Sequence, residues 1–242
     1  NEMCFAARKA SPNDGAILIN SAYALFAMGE MPAGVKLIAQ AAEAGHPPAM
    51  VMTARYMGRG EHMEKDAEGA WMMLIKTLKS NHADARIQAA LEFMPGGVGP
   101  ESPKRTKKVL KELIDAGNSE AMVTYAMKVL GLQKAEAGSE AAKEGIVLLR
   151  RAATEAKDGT AMIYLSLLHN QGSMVARSEA RAVEYAQAAI DAGIVRAYAT
   201  MGQIFQNQGD MKTAVKWFRK GAAAGDGFSQ SMLGFAYSGG FG

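Results

Sequence analysis

The chain of 242 residues is 49% hydrophobic and 21% charged, a balance that excludes wholesale disorder and leaves ample material for a buried core. Its 27 basic and 24 acidic residues give a net charge of +3, too little to require a nucleic-acid or anionic-membrane partner, and the single Cys4 excludes an internal disulfide and any cysteine-based zinc cluster. The longest uncharged stretch, 15–29, contains Asn20 and Ser21 and falls short of the roughly 18 to 20 apolar residues of a membrane span, so no spanning helix is expected.

After an N-terminal extension over 1–14, the chain repeats itself. The segments AAEAGHPPA, TLKSNHADA, IDAGNSEA, ATEAKDGTA, AIDAGIVRA and AAAGDGFSQ share small residues before a turn and a small residue four positions after it. Their turn positions, Gly45, Asn81, Gly117, Lys157, Gly193 and Gly225, are 36, 36, 40, 36 and 32 residues apart. A second ladder, Tyr23, Tyr56, Phe93, Val129, His169, Phe205 and Tyr237, keeps step with the first from its third rung. Large residues also recur seven or eight positions before each turn, for example Leu37 and Ile38, Met73 and Leu74, and Trp217 and Phe218.

Each unit reads as two helices. In the sixth, Ala197–Gly209 places Met201, Ile204, Phe205 and Gln208 at helical spacing and ends on glycine, which defines a helix A. Lys212–Gly225 places Val215, Phe218 and Ala222 on one stripe and ends on glycine, which defines a helix B. Ala90, Ala126, Ser166, Gly202 and Gly234 share one A-helix position, three before the aromatic ladder, where a small side chain lets a neighbouring helix approach. A final helix A is expected near Gln230–Ser238, with no B helix after it, so the array reads as incomplete at its C-terminal end.

The run AVEYAQAAIDAG, AYATMGQIFQNQG, AVKWFRKGAAAG, SMLGFAYSGGFG from Ala182 to Gly242 resembles the Sel1-like repeat family, a relative of the tetratricopeptide helical repeats. The resemblance extends in weaker form back to about residue 15, with Met201 in place of the leucine, Val129 and His169 in place of the tyrosine, and Lys157 in place of the turn glycine. It implies an all-α fold: a right-handed α/α superhelix, a solenoid of about six helix-turn-helix repeats plus a terminal helix, forming a single domain over 1–242. Such pairs cannot bury their apolar faces alone and stack into a continuous core.

Apparent chemical motifs give way to the repeat. His46 and His82 follow turn positions, His169 falls on the aromatic ladder and His62 lies in the loop RGEHMEKD; none has a ligand cluster nearby in sequence, so no metal is expected. The loop Pro95–Arg105, PGGVGPESPKR, lacks the Gly-Lys-Ser/Thr ending of a phosphate-binding loop and falls where a connection between helices A and B belongs. Lys104, Arg105, Lys107, Lys108 and Lys111 read as a solvated helix face rather than a nucleic-acid track, which needs a wider basic surface. With no Gly-x-Ser-x-Gly or Cys-x-x-Cys, no catalytic residue and no cofactor are expected.

The resemblance implies that the A helices line a concave groove. Positions two before and one after the aromatic ladder then face a partner: Leu91 and Met94, Met127 and Leu130, Leu167 and Asn170, Gln203 and Gln206, and Phe235 and Ser238. Leucine and methionine adapt to apolar anchors, and the amides can bond an extended peptide backbone. The function it implies is a noncatalytic protein-protein interaction scaffold or regulatory adaptor. Such proteins are often bacterial and exported or periplasmic. Two alternatives are an immunity protein against a secreted toxin and a hydrolase acting on cell-wall or beta-lactam substrates; the lone Cys4 speaks against the latter because those relatives are rich in disulfides. Self-association through the last helix is a further expectation.

Overall fold

The structure, a computed structural model, describes residues 11, 13–131 and 134–241; Cys4 and most of the expected extension lie outside them. The chain divides into two compact units, Asn1–Asp115 and Ala116–Gly242. In the first unit the A helices α1 (Gly15–Ala27), α3 (Pro47–Arg59) and α5 (Ala83–Leu91) alternate with the B helices α2 (Met31–Glu43), α4 (Ala67–Leu78) and α6 (Pro103–Asp115). In the second, α7 (Ser119–Thr124) runs into a π-helical turn, Tyr125–Val129, and is followed by α8 (Glu140–Glu155), α9 (Gly159–Gln171), α10 (Glu179–Asp191), α11 (Arg196–Asn207), α12 (Met211–Ala223) and α13 (Gly227–Ser238). Six A/B pairs and a final helix A are thus formed among the described residues, as the repeat predicts.

The turn ladder is explained by helix ends. Gly45, Gly117, Gly193 and Gly225 hold positive φ values of 80° to 90°, which closes each B helix. The next residue often starts the following A helix: Asn118, Asp158 and Asp226 accept bonds from Ala121 N, Ala161 N and Ser229 N at 2.7 to 2.9 Å. Such a cap is worth about 1 kcal/mol. His82 does the same through Nδ1, which accepts from Ala85 N at 3.3 Å, so this histidine serves the backbone. Of the two rungs that lack glycine, Asn81 and Lys157, the latter takes the left-handed conformation, φ 56°.

Small residues set the crossing within each pair. On the A side these are Ala22, Ala54, Ala90, Ala126, Ser166 and Gly202, and on the B side Gly34, Ala70, Thr106, Ala142, Ala182 and Ala214; all twelve are buried. A Cβ on Gly34 would lie 3.1 Å from the Ala22 carbonyl oxygen. Thr106 Oγ1 donates to Ala90 O at 2.6 Å, and Ser166 Oγ donates to Ala182 O at 2.7 Å. These two hydroxyls tie one helix backbone to the next without leaving a buried polar group unpaired. Larger apolar residues flank each crossing; Ile38, Leu74, Leu110, Leu149 and Phe218 have no exposed surface, worth about 1.5 to 3 kcal/mol each in burial.

Here the structure corrects the aromatic ladder. In the first two repeats the residues three before Tyr23 and Tyr56 are Asn20 and Thr53, whereas Ala22 and Ala54 make the crossing. Tyr23 and Tyr237 are 54% and 46% exposed, so the end rungs are surface residues, while Phe93 and His169 are core. Val129 closes a π-helical turn in which Leu130 N donates to Tyr125 O at 3.0 Å, and the buried aromatic of that repeat is Tyr125. Gln208, at helical spacing with Met201, Ile204 and Phe205, is the exposed cap of α11.

Candidate partner-binding face

With Ala22, Ala54, Ala90, Ala126, Ser166 and Gly202 facing the B helices, the next residue along each A helix turns about 100° away. In the first unit that row reads Tyr23, Arg55 and Leu91, and in the second Met127, Leu167, Gln203 and, on α13, Phe235. In the second unit Met127, Leu167 and Gln203 are partly exposed and Phe235 is 68% exposed. Three residues further on, Leu130 and Gln206 are also partly exposed, and Ser238 is open, its hydroxyl donating to Phe235 O at 2.8 Å. Asn170 is buried, and its Oδ1 has no hydrogen-bond partner. In the first unit Leu91 ends α5 and is partly exposed, and Met94 lies in the turn beyond, its N–H donating to Leu91 O at 3.0 Å.

Two members of the row, Tyr23 and Arg55, are not reached by counting two before or one after a rung of the aromatic ladder. Tyr23 sends its hydroxyl to Met52 Sδ at 3.9 Å, and Arg55 reaches the next A helix. Arg55 Nε donates to Glu92 Oε1 at 2.6 Å and Nη2 donates to Gln88 Oε1 at 3.1 Å. Anchoring on small rather than aromatic residues would have brought Arg55 into line with Leu91 and Met127. Its guanidinium lines a groove of about 360 Å³ between α3 and α5, walled by Pro48, Val51, Met52 and Ala85, with His82, Asp84 and Gln88 completing the lining.

Glu92 explains the glycine-rich loop. Its carboxylate Oε2 accepts from Val98 N at 3.1 Å, and its carbonyl accepts from Gly99 N at 2.9 Å. The anion that this loop cradles is therefore the protein's own side chain. Downstream, Lys104, Lys107, Lys108 and Lys111 are exposed on α6, while Arg105 stacks 4.8 Å over the Phe93 ring. The buried His169 is likewise a packing residue, stacked on Tyr185 with Nδ1 3.2 Å from Ala176 O. Among the described residues no group of three His, Cys, Asp or Glu could hold a metal ion, and no helix is long and apolar enough to cross a membrane.

His46 is expected to make the first unit sensitive to acid. Its ring lies against Gly15, its Nδ1 is buried without a partner, and burial, followed by the neighbouring His82, pushes its pKa below the ordinary 6.5. The unfolded chain then takes up a proton before the folded one does. Stability is full above about pH 6.5 and falls as pH drops through the folded value. Urea midpoints at pH 7.5 and 5.5 should differ for the wild type and differ less for His46→Gln; an unchanged difference in that variant would assign the acid sensitivity elsewhere.

By sequence, the chain matches no protein-family model and no curated protein. Among solved structures it is similar to a Sel1 repeat protein from Oxalobacter formigenes, with a TM-score of 0.57 and 18% identity over 97% of this chain and 70% of the other. It is also similar to a protective antigen present in uropathogenic Escherichia coli strains that displays an SLR fold, with a TM-score of 0.57 and 22% identity over 96% of this chain and 50% of the other.

Proposed function

We propose that this chain, whose fold is that of the Sel1-repeat structures, is a noncatalytic scaffold that binds a partner protein or peptide through exposed A-helix residues that each of its two units carries. One observation carries the reading. The crossing row is small and wholly consumed by packing against the B helices, whereas the adjacent row carries Leu91, Met127 and Leu167, large apolar side chains that keep part of their surface open. Flexible and branched apolar groups of this kind adapt to apolar anchors, and Gln203 and Gln206 beside them can bond a peptide backbone.

The test is affinity capture compared between the wild type and a Leu91→Glu, Met127→Glu, Leu167→Glu variant. All three positions are partly exposed, so far-UV circular dichroism should be preserved while capture of the partner drops by about tenfold or more. Undiminished capture by a folded triple variant would move the binding site off this row.

A further inference from the structure

We propose that a groove between α12 and the segment after α13, apart from the A-helix row, docks an acidic peptide segment bearing one large apolar side chain. Helix α12, MKTAVKWFRKGAA, carries Lys212, Lys216, Arg219 and Lys220 and no carboxylate. The groove, about 400 Å³, is lined by Lys212, Val215, Lys216 and Arg219 on one side and Gly240 and Phe241 on the other. Lys212, Lys216 and Arg219 are spaced four and three apart, so they stand along one stripe of the helix about 10 Å long.

The positive charge there is not spent internally. None of the three cations makes a salt bridge among the described residues. The nearby carboxylate of Asp210 is committed to capping α12: it accepts from Thr213 N at 3.0 Å, and that bonding, followed by Lys216 and Lys212, holds its pKa below the ordinary value. Asp226 caps α13 and stands 3.9 Å from Arg196. Arg219 is held in place, its Nε donating to Tyr237 Oη at 3.0 Å and its guanidinium 5.6 Å over the same ring. Between the cations lie apolar surfaces: Val215 is buried at the base and Phe241 is 52% exposed on the opposite wall.

Carboxylates flanking an apolar side chain complement this arrangement. A nucleic-acid strand, which needs several open rings in succession, fits it less well: Phe241 is open, but Trp217 has Lys220 over it at 4.1 Å and Tyr237 has Arg219. A membrane surface fits less well too, since Val215 is recessed behind the cations.

The probe is a fluorescein-labelled peptide, Gly-Asp-Glu-Phe-Asp-Glu-Leu, titrated with the full chain and followed by anisotropy at low salt. Saturable binding should weaken roughly tenfold or more in Lys212→Glu, Lys216→Glu, several-fold in Phe241→Ala, and strongly when the peptide acids are replaced by their amides. Lys212 lies in the first turn of α12, where a carboxylate suits the helix dipole, so loss of binding there is not loss of the helix. The Leu91, Met127, Leu167 variant should bind this peptide as the wild type does, which separates the groove from the A-helix row. The proposal is overturned by no saturation up to about 1 mM, by binding indifferent to these substitutions, or by tighter binding of oligothymidine or phosphatidylserine vesicles through the same lysines.

Discussion

Gly202→Leu is expected to cost about 3 kcal/mol or more, which at about 2 to 4 °C per kcal/mol is a large drop in melting temperature. The cause is local. Gly202 lies on α11 where the ring of Phe218, fully buried on α12, comes so close that a Cβ would overlap its edge. Neither helix can give way without opening the core around Met201, Ile204 and Ala186. Gly234 supplies the control, since it holds the same repeat position on α13 and has no heavy atom within 4 Å of where its Cβ would stand. Gly234→Leu should leave the melt unchanged or raise it slightly, because leucine favours helix over glycine by up to about 1 kcal/mol. Equal melting curves for the two variants would refute the crossing geometry.

Glu92→Ala should destabilise the first unit by about 2 to 3 kcal/mol, below the range for a fully buried pair because Arg55 keeps a third of its side chain exposed. The alanine would orphan Arg55 Nε and the Val98 amide together, and the loop over 95–102 would lose its inner support. Glu92→Gln should cost less, since an amide oxygen can still serve one donor, but its NH2 group cannot accept from the other. Urea unfolding gives the cost, and faster hydrogen exchange at Val98 locates it. An unchanged exchange rate at Val98 in Glu92→Ala would separate the carboxylate from the loop.

How far the residues alone announce this molecule depends on contrast. Turn glycines at Gly45, Gly117, Gly193 and Gly225 stand out because a left-handed residue closes the helix there, and they mark the ends of four of the six pairs. Aromatic residues also stand out, yet Tyr23 and Tyr237 are surface groups, and a ladder hung on them slides by one or two positions in the first repeats. The crossing residues that fix the register are mostly alanines, common along the whole chain and therefore inconspicuous. That slip hides Arg55, which follows the crossing residue Ala54 as Leu91 follows Ala90. The π-helical turn at Tyr125–Val129 has no signature in residue type, because it depends on how the chain meets its neighbours. Glu92 is invisible for a similar reason: its partners, Arg55 and Val98, come from both sides along the chain.

The paired small residues carry a consequence for length. From A side to B side they are twelve positions apart in the first and last pairs, Ala22 to Gly34 and Gly202 to Ala214, and sixteen apart in the four between. The extra four residues fall in the connection, as in 60–66 and 172–178, and leave the helix contact itself unaltered. What the chain holds constant is the meeting point rather than the repeat length, so the connections behave as interchangeable parts. Grafting the short connection of α11 and α12 between α3 and α4 should yield a shorter second repeat with the same crossing, and connections such as 60–66 and 172–178 become the natural places to alter the length of this protein.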